Sequence, residues 1–502
     1  MSSVKSLAKD TAIYGLSSIV GRFLNWLLVP IYTNVFTQSQ YGVTTYVYSV
    51  VALLIVILTY GMETGYFRFA SDERFRGGTI VYSTALSSLA VSSAAFIAIV
   101  ALFLHPVAEI MKCAEHPSYV MMMAVCVAID AFTALPFSHL RFKHKAIKFA
   151  ILKCTGIAVN IGLNLFFLLL CPWLMTKAPG TVSWFYNEDF GIGYIFLSNL
   201  IASAIMLPML RQELTGFRWR FSADVWREML RYSWPLLVLG VAGIMNQNIA
   251  TILLPNIVPN PAMRLSITGV YGACFKLAII MVMFLQAFRF AYEPFIFDRA
   301  RSQDEDRKEV YATVMKWFVI FAMFVFLAVM VYMPVIQLFI GRSFREGIGV
   351  VPIIMMAEFF FGVFFNLSLW YKLTDQTMWG MWFTLLGLVI TLAGNFLLVP
   401  VIGYYGCAWS SFLCYGTMMT VSYFVGQKKF PIRYRIGHLS LYVAVSVGFY
   451  LLLKLAATAN IWINMGVGTL LIGVYLIIVL RAEHVTLRQL IPVDAIIKKI
   501  RH

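Results

Sequence analysis

Residues Ile80–Leu104 read IVYSTALSSLAVSSAAFIAIVALFL, 25 positions without an Asp, Glu, Lys or Arg. A helix rises about 1.5 Å per residue, so about 20 apolar residues cross the hydrocarbon of a bilayer. The stretch reads as a membrane-spanning helix, and the pattern recurs along the chain. Fourteen such runs are legible: Thr11–Val35, Thr44–Phe67, Ile80–Leu104, Tyr119–Leu140, Phe149–Leu170, Gly191–Leu210, Ser233–Leu254, Gly269–Phe290, Val314–Ile340, Val351–Trp370, Met378–Val399, Tyr405–Val425, His438–Leu455 and Ile461–Leu480. Composition agrees. Of 502 residues 61% are hydrophobic and 12% charged, with mean hydropathy +0.80. Soluble domains carry about 25% charged residues, too many for this chain to match. The fold class expected is an all-α membrane protein of about fourteen helices.

The net charge of +16 would suggest nucleic acid in a soluble protein. Here the basic residues sit in short connections, where they report topology. With the N-terminus inside, thirty Lys and Arg fall on the inner side and six on the outer: Lys112, Lys177, Arg264, Arg342, Arg345 and Lys454. One missed span would invert every later connection, so the bias also supports the count. Both termini are expected in the cytoplasm, and Met1 to Lys9 shows no leader cleavage site. Outside, Met175–Phe190 carries Trp184, Phe185 and Tyr186, an aromatic interfacial lid. After Leu480 the apolar residues Leu487, Leu490, Ile491, Ile496, Ile497 and Ile500 alternate with Arg and Lys, as in a helix lying on the inner leaflet; a disordered tail is the alternative. The seven cysteines show no metal-ligand spacing, and most lie inside apolar runs.

Short strings repeat at nearly one offset. Tyr41-Gly42-Val43 corresponds to Tyr271-Gly272-Ala273, and Asn164-Leu165-Phe166-Phe167-Leu168 to Asn395-Phe396-Leu397-Leu398-Val399, with offsets of 230 and 231. A glycine turn follows each Asn run, at Gly191-Ile192-Gly193 and at Gly403-Tyr404-Tyr405-Gly406. Six spans repeated in the same orientation, plus two more, divide the chain into 1–215, 216–430 and 431–482, with a tail at 483–502.

Four stretches carry a resemblance to a known family. They are Gly21-Arg22-Phe23-Leu24 through Pro30-Ile31-Tyr32-Thr33 to Tyr41-Gly42; Gly61 with Arg68; Arg231-Tyr232-Ser233-Trp234-Pro235-Leu236 with Asn246 and Gly269-Val270-Tyr271; and Asn395 to Pro400 with Gly403 and Gly406-Cys407-Ala408. Their order resembles the polysaccharide transporters and O-antigen flippases of the multidrug/oligosaccharidyl-lipid/polysaccharide superfamily. The resemblance implies two six-helix lobes in a V, two extra C-terminal helices, and a polyprenyl diphosphate-linked oligosaccharide as cargo, with other polysaccharide-assembly proteins as partners.

An ionisable group inside the bilayer costs about 2.5–3.5 kcal/mol on insertion scales and usually faces the bundle interior. Arg22 lies roughly 16 Å into the first span, and Asn25 shares its face. With the implied cargo, Arg22 is read as a diphosphate ligand, because a guanidinium matches phosphate oxygens in pairs; the alternative is an interhelical ion pair. Asp130 is read as a partner of Arg22 or as the site of a coupling proton or sodium ion. Lys276 and Glu358 lie at matched depth and are read as a gating pair or a proton site. Asn246 and Asn248 suit sugar hydroxyls, since amides both donate and accept; interhelical bonding is the alternative. Glu63, Arg68, Lys153 and Arg289 lie near inner ends, as snorkelling side chains or as a vestibule for the headgroup. Pro30 and Pro235 are candidate hinges.

No nucleotide, metal or nucleophile motif is present, so a transporter without cofactor is expected rather than an enzyme. The reading is a flippase of the cytoplasmic membrane working by alternating access in surface polysaccharide biosynthesis. The alternatives are a cation-coupled multidrug antiporter, whose cavity should be acidic and aromatic, and a peptidoglycan lipid-precursor flippase.

Overall fold

A computed structural model describes residues 14–15, 20–75, 78–215, 219–301, 307–374, 376, 378–456 and 458–483. The N-terminal residues Met1–Lys9 and the amphipathic tail beyond Glu483 lie outside the described residues. The chain is an all-α membrane protein of about fourteen helices, without strands among the described residues. Each expected span holds one. Helical residues 20–26 lead into α1 (Val29–Val35). There follow α2 (Gln38–Thr59), α3 (Thr79–Leu102), α4 (Pro117–Phe142), α5 (Ala146–Leu165), α6 (Gly193–Met209), α7 (Ala223–Ile257), α8 (Arg264–Arg301), α9 (Arg307–Val331), α10 (Val351–Leu367), α11 (Met378–Ile402), α12 (Tyr404–Lys429), α13 (Ile436–Leu455) and α14 (Ile461–Ala482). Eleven helical stretches are long and apolar enough to cross a bilayer.

Local chemistry sets the breaks. Thr37 and Gln40 form a capping box that starts α2. Tyr60 and Gly61, both left-handed, end it, and the chain restarts as the short helix Met62–Ala70. Pro30 stands in the first turn of α1, just after a break at Leu27–Leu28, where its missing N–H costs nothing. Pro235 lies instead within the continuous α7. A π-helical turn, Phe166–Leu170, joins α5 to Cys171–Lys177.

Contacts divide the chain into two compact units. The first takes the described residues up to Lys276, Ile340–Val351 and 378–418; the second takes Leu277–Phe339, Pro352–Gln376 and 419–483. In the first unit α3 packs on α4, α6 packs on α4 and α5, and α7 packs on α2 and α11. A chain of hydrogen bonds crosses its interior. Tyr32 donates to Asn164 Oδ1 at 2.9 Å, Asn164 to Asn160 Oδ1 at 2.7 Å and Asn160 to Asn199 Oδ1 at 2.9 Å, and Asn199 reaches the Tyr48 hydroxyl. Asn395, the sequence counterpart of Asn164, is equally buried but donates only to the Thr391 carbonyl of its own helix, at 2.7 Å.

At one end of this unit two helices meet backbone to backbone. A Cβ on Gly42 would overlap the carbonyl of Leu265, and a Cβ on Gly269 would overlap the carbonyl of Gln38. The relation is reciprocal: Leu265 stands to Gln38 as Gly269 stands to Gly42, 227 positions on. At the same interval, Gly272 faces Thr45, whose Cγ2 lies 2.6 Å from where a Cβ would stand. This interval of 227 differs from the 230 and 231 of the matching strings. Around it, Gln38 donates to the Ser343 carbonyl at 2.6 Å and to Glu346 Oε1 at 2.9 Å, and is bonded to Ser266. The Gly341 N–H donates to Thr33 Oγ1 at 3.0 Å.

In the second unit α9 packs on α13 and α14. Tyr475 donates to the Ile320 carbonyl at 2.9 Å, Tyr442 donates to Glu483 Oε1 at 2.7 Å, and Lys316 pairs with Glu483. Burial alone would raise the Glu483 carboxyl, but the bonds from Lys316 and Tyr442 hold it below the ordinary carboxylate range. The stability it contributes is present above the unfolded-state value and is lost as pH falls through the lower folded-state value.

The crossing is testable with the Gln38→Cys/Ser266→Cys pair in a background lacking the exposed Cys154. The pair is expected to form a disulfide on mild oxidation. Adding Gly42→Val should reduce cross-linking by at least about ten-fold, because 1.4 kcal/mol against closure suffices. Undiminished cross-linking would show that the glycines do not set the approach.

Candidate functional site

The restart after Gly61 places Glu63 in the first turn of Met62–Ala70. Opposite it, the last turns of α4 present Ser138, His139 and Arg141. Glu63 Oε2 accepts from Ser138 Oγ at 2.8 Å and from Arg141 Nη2 at 2.9 Å. Tyr66 and Tyr82 hold the neighbouring imidazole, with Tyr66 Oη 2.7 Å from His139 Nδ1 and the Tyr82 ring centred 4.3 Å from it.

Glu63 and Arg141 line a cavity of about 390 Å³ together with Thr59, Thr64, Phe67 and Leu236. It mixes ionic, hydroxyl and aromatic groups, the set expected where a polar ligand is held in an apolar setting. The Arg141 guanidinium lies 5.3 Å from the centre of the Phe67 ring, and its Nε, though buried, has no hydrogen-bond partner. Arginine carries five donors, and a second planar acceptor would complete this one.

A further acid and base lie on α4 and α5. Asp130 Oδ1 accepts from Ser203 Oγ at 2.7 Å, and Cys126 Sγ lies 3.9 Å from Oδ2. Lys153 sets its ammonium 4.1 Å from the centre of the Phe137 ring, in the electrostatic field of Asp130, Glu63 and Arg141. Asp130 stands eleven residues before Arg141 on α4, about 16 Å along the helix, so it is a group separate from the Glu63–Arg141 pair.

The other candidate residues are distributed elsewhere. Arg22 and Asn25 are exposed on the first helical stretch. Trp26, one turn beyond Arg22, donates to the Lys276 carbonyl at 2.7 Å, which sets this face of the helix against α8. Lys276 is half-buried, and its ammonium has neither hydrogen bond nor ion pair among the described residues; the same holds for the half-buried Glu358 carboxylate in the second unit. Asn246 is packed between helices, donating to the Thr384 carbonyl at 3.0 Å, with its Oδ1 buried and unpaired. Asn248 bonds the Ile244 carbonyl of its own helix at 3.2 Å. Arg68 lies over the Tyr232 ring at 4.4 Å and Arg289 over Phe365 at 4.1 Å. Arg141, Ser138 and Ser203 are additions that sequence did not single out. Arg141 reads there as one more inner-end cation, and its only local signal is the Ser138 three residues earlier on the same face.

This arrangement defines a multi-pass helical membrane protein with a charged cavity at one helical end. The sequence family described as polysaccharide biosynthesis protein matches residues 7–299, and the chain belongs to that family. No curated protein matches the sequence. Among solved structures, the chain is similar to the lipid II flippase MurJ in its inward closed conformation, with TM-score 0.71 and 11% identity over 93% of this chain and 98% of that one. It is also similar to a multidrug resistance MATE family transporter of the MOP superfamily in an inward-facing conformation, with TM-score 0.64 and 13% identity over 86% and 95%. A MATE structure in complex with MaD3S gives TM-score 0.56 at 13% identity over 87% and 96%. At these identities the likeness establishes the fold.

Two ion pairs near this end should behave differently. The Glu63 and Arg141 side chains are 36% and 38% exposed, whereas Glu213, held by Lys148 at 2.7 Å, is 3% exposed. Arg141→Ala should cost about 0–1 kcal/mol of stability, the range of solvent-accessible pairs. Lys148→Ala strands a buried carboxylate and should cost about 3–5 kcal/mol. Thermal unfolding of the purified variants checks the order; equal losses would mean that the Glu63–Arg141 pair is structural.

Proposed function

We propose that this protein carries a polyprenyl diphosphate-linked oligosaccharide from the inner to the outer leaflet of the cytoplasmic membrane, by alternating access, for assembly of a surface polysaccharide. The observation that carries the reading is the cavity holding Arg141, whose guanidinium is only partly engaged by Glu63. A diphosphate offers the planar oxygen pairs that such a guanidinium accepts best. Thr59 and Thr64 supply hydroxyls for a sugar, and Phe67 supplies a ring on which it can stack. Membership of the polysaccharide biosynthesis family and the MurJ-like fold support the same reading.

In this scheme the cavity end faces the cytoplasm, as the excess of inner Lys and Arg predicts, and both termini lie there. The headgroup enters among Glu63, Arg141 and Lys153 while the lipid tail remains in the bilayer. Arg22 and Lys276 receive it further in, and the Gly42–Gly269 crossing must part for release. Asp130 and Glu358 are the carboxylates on which a coupling proton or sodium ion acts. Glu63 is already engaged by Arg141, which argues against an organic cation as cargo.

In a strain lacking the protein, wild type should restore surface polysaccharide. Arg141→Gln should not, although it reaches the membrane at normal levels. Losing a charge-assisted bond worth about 1.5–3 kcal/mol weakens cargo binding by roughly 10- to 150-fold. Lipid-linked oligosaccharide should accumulate on the inner leaflet, read by its inaccessibility to an external glycosidase. Full polysaccharide from Arg141→Gln would refute the assignment, and resistance to cationic dyes on overexpression would favour the multidrug antiporter.

A further inference from the structure

The helix α7 carries three consecutive amides, Asn246, Gln247 and Asn248, within its membrane-spanning stretch. Two are occupied by the protein itself. Asn246 donates to the Thr384 carbonyl of α11 at 3.0 Å, and Asn248 to the Ile244 carbonyl one turn back at 3.2 Å. Gln247 differs from both: its side chain is exposed, and its amide has no hydrogen bond among the described residues.

Helical phase decides what Gln247 faces. Leu236, Gly240, Gly243 and Gln247, spaced by four, three and four, share one face of α7. Leu236 lines the cavity that holds Glu63 and Arg141. A Cβ on Gly240 would lie 3.0 Å from Val56, which lines the same cavity, and a Cβ on Gly243 would meet nothing within 4 Å. The face therefore runs from the cavity wall, past open space at Gly243, to Gln247. It is flanked by α2, through the 2.6 Å bond between Thr251 and Ser49, and by α11, through Asn246. The most exposed apolar side chain of α7, Trp234 at 61%, points about 160° away from Leu236. An amide turned toward lipid would find no partner, whereas one turned into a polar cavity can bond a solute.

Distance along the axis selects the part of the ligand that Gln247 meets. Eleven residues at 1.5 Å per residue put it about 16 Å beyond Leu236. A diphosphate seated in the cavity does not reach that far, but a saccharide extending from it does.

We propose that Gln247 is a specificity residue for the saccharide, bonding hydroxyls of a sugar beyond the one joined to the diphosphate. An amide donates through its nitrogen and accepts through its oxygen, so it suits a pair of sugar hydroxyls that an aliphatic side chain would leave unbonded. The contact is neutral and remote from the charged end, so it sorts cargoes by sugar rather than by charge. It rests on the cargo reading above and adds to it a saccharide of more than one ring.

The test is transport by the purified full-length protein in proteoliposomes, with two probes. One is the lipid-linked oligosaccharide extracted from the strain lacking the protein. The other is a synthetic polyprenyl diphosphate bearing that oligosaccharide's first sugar alone. The readout is the ratio of the two rates, oligosaccharide over single sugar. In Gln247→Leu the ratio should fall by about 2- to 12-fold, the net worth of one neutral hydrogen bond. Gln247→Asn, which keeps a shorter amide, should lie in between and guards against misfolding of the Leu variant. Arg141→Gln should lower both rates and leave the ratio near the wild-type value. A wild-type ratio in Gln247→Leu, or an equal fall in Arg141→Gln, would overturn the Gln247 assignment and leave the cargo reading standing. Failure of the wild type to move either probe would overturn the cargo reading and this assignment with it.

Discussion

In hydrocarbon there is no water to complete a hydrogen bond, so every polar group within a span must find its partner in the protein. That constraint explains most of what is ordered inside the first unit. The Tyr32–Asn164–Asn160–Asn199–Tyr48 chain exists because three amides on α5 and α6 would otherwise face lipid or one another unsatisfied. Asp130 is held by Ser203 for the same reason. Against that background the groups left incomplete stand out. They include the Arg141 Nε, the Asn246 and Asn395 carbonyl oxygens, the Lys276 ammonium and the Glu358 carboxylate, along with the Asn366 carbonyl oxygen and the hydroxyls of Ser93, Ser422 and Ser446. A carrier needs such vacancies, since a site whose donors are all internally satisfied has nothing to offer a passing headgroup.

The two ends of the first unit are built from different materials. Where Gly42 and Gly269 cross, contact is backbone to backbone, with no side chain to reorient. Such a contact is either made or broken, because the first methyl group added would collide with a carbonyl. Closely packed surfaces of this kind behave as two-state elements. The cavity end is instead made of long charged side chains over aromatic rings, Arg141 over Phe67, Lys153 over Phe137 and Arg68 over Tyr232. These can swing while retaining some stabilisation, since a ring offers its whole face to a cation.

Hydrophobic length and the distribution of Lys and Arg made the helices legible, because a bilayer imposes one thickness on all of them. Every expected span holds a helix, including the first, which is broken at Leu27–Leu28. The site was legible only in part. Glu63, Asp130 and Lys153 stood out as charges inside apolar runs. Arg141 did not, because it falls where topology alone accounts for an arginine, and nothing in one dimension links it to Glu63, 78 positions away. The amides of α7 show the opposite limit. Asn246 and Asn248 share an interrupted span, yet one packs between helices and the other bonds its own turn. Helical phase decides which, and an apolar helix with no strong polar face conceals its phase.

The charge balance of the cavity bears on what it can carry. One carboxylate and one guanidinium, Glu63 and Arg141, leave the cavity close to neutral, so in the absence of ligand the site is no standing attractor for any ion. A monovalent organic cation would have to compete with Arg141 for Glu63, exchanging a bonded guanidinium for a weaker partner. A diphosphate instead offers Arg141 more oxygens than Glu63 does, and it leaves Glu63 its bond from Ser138.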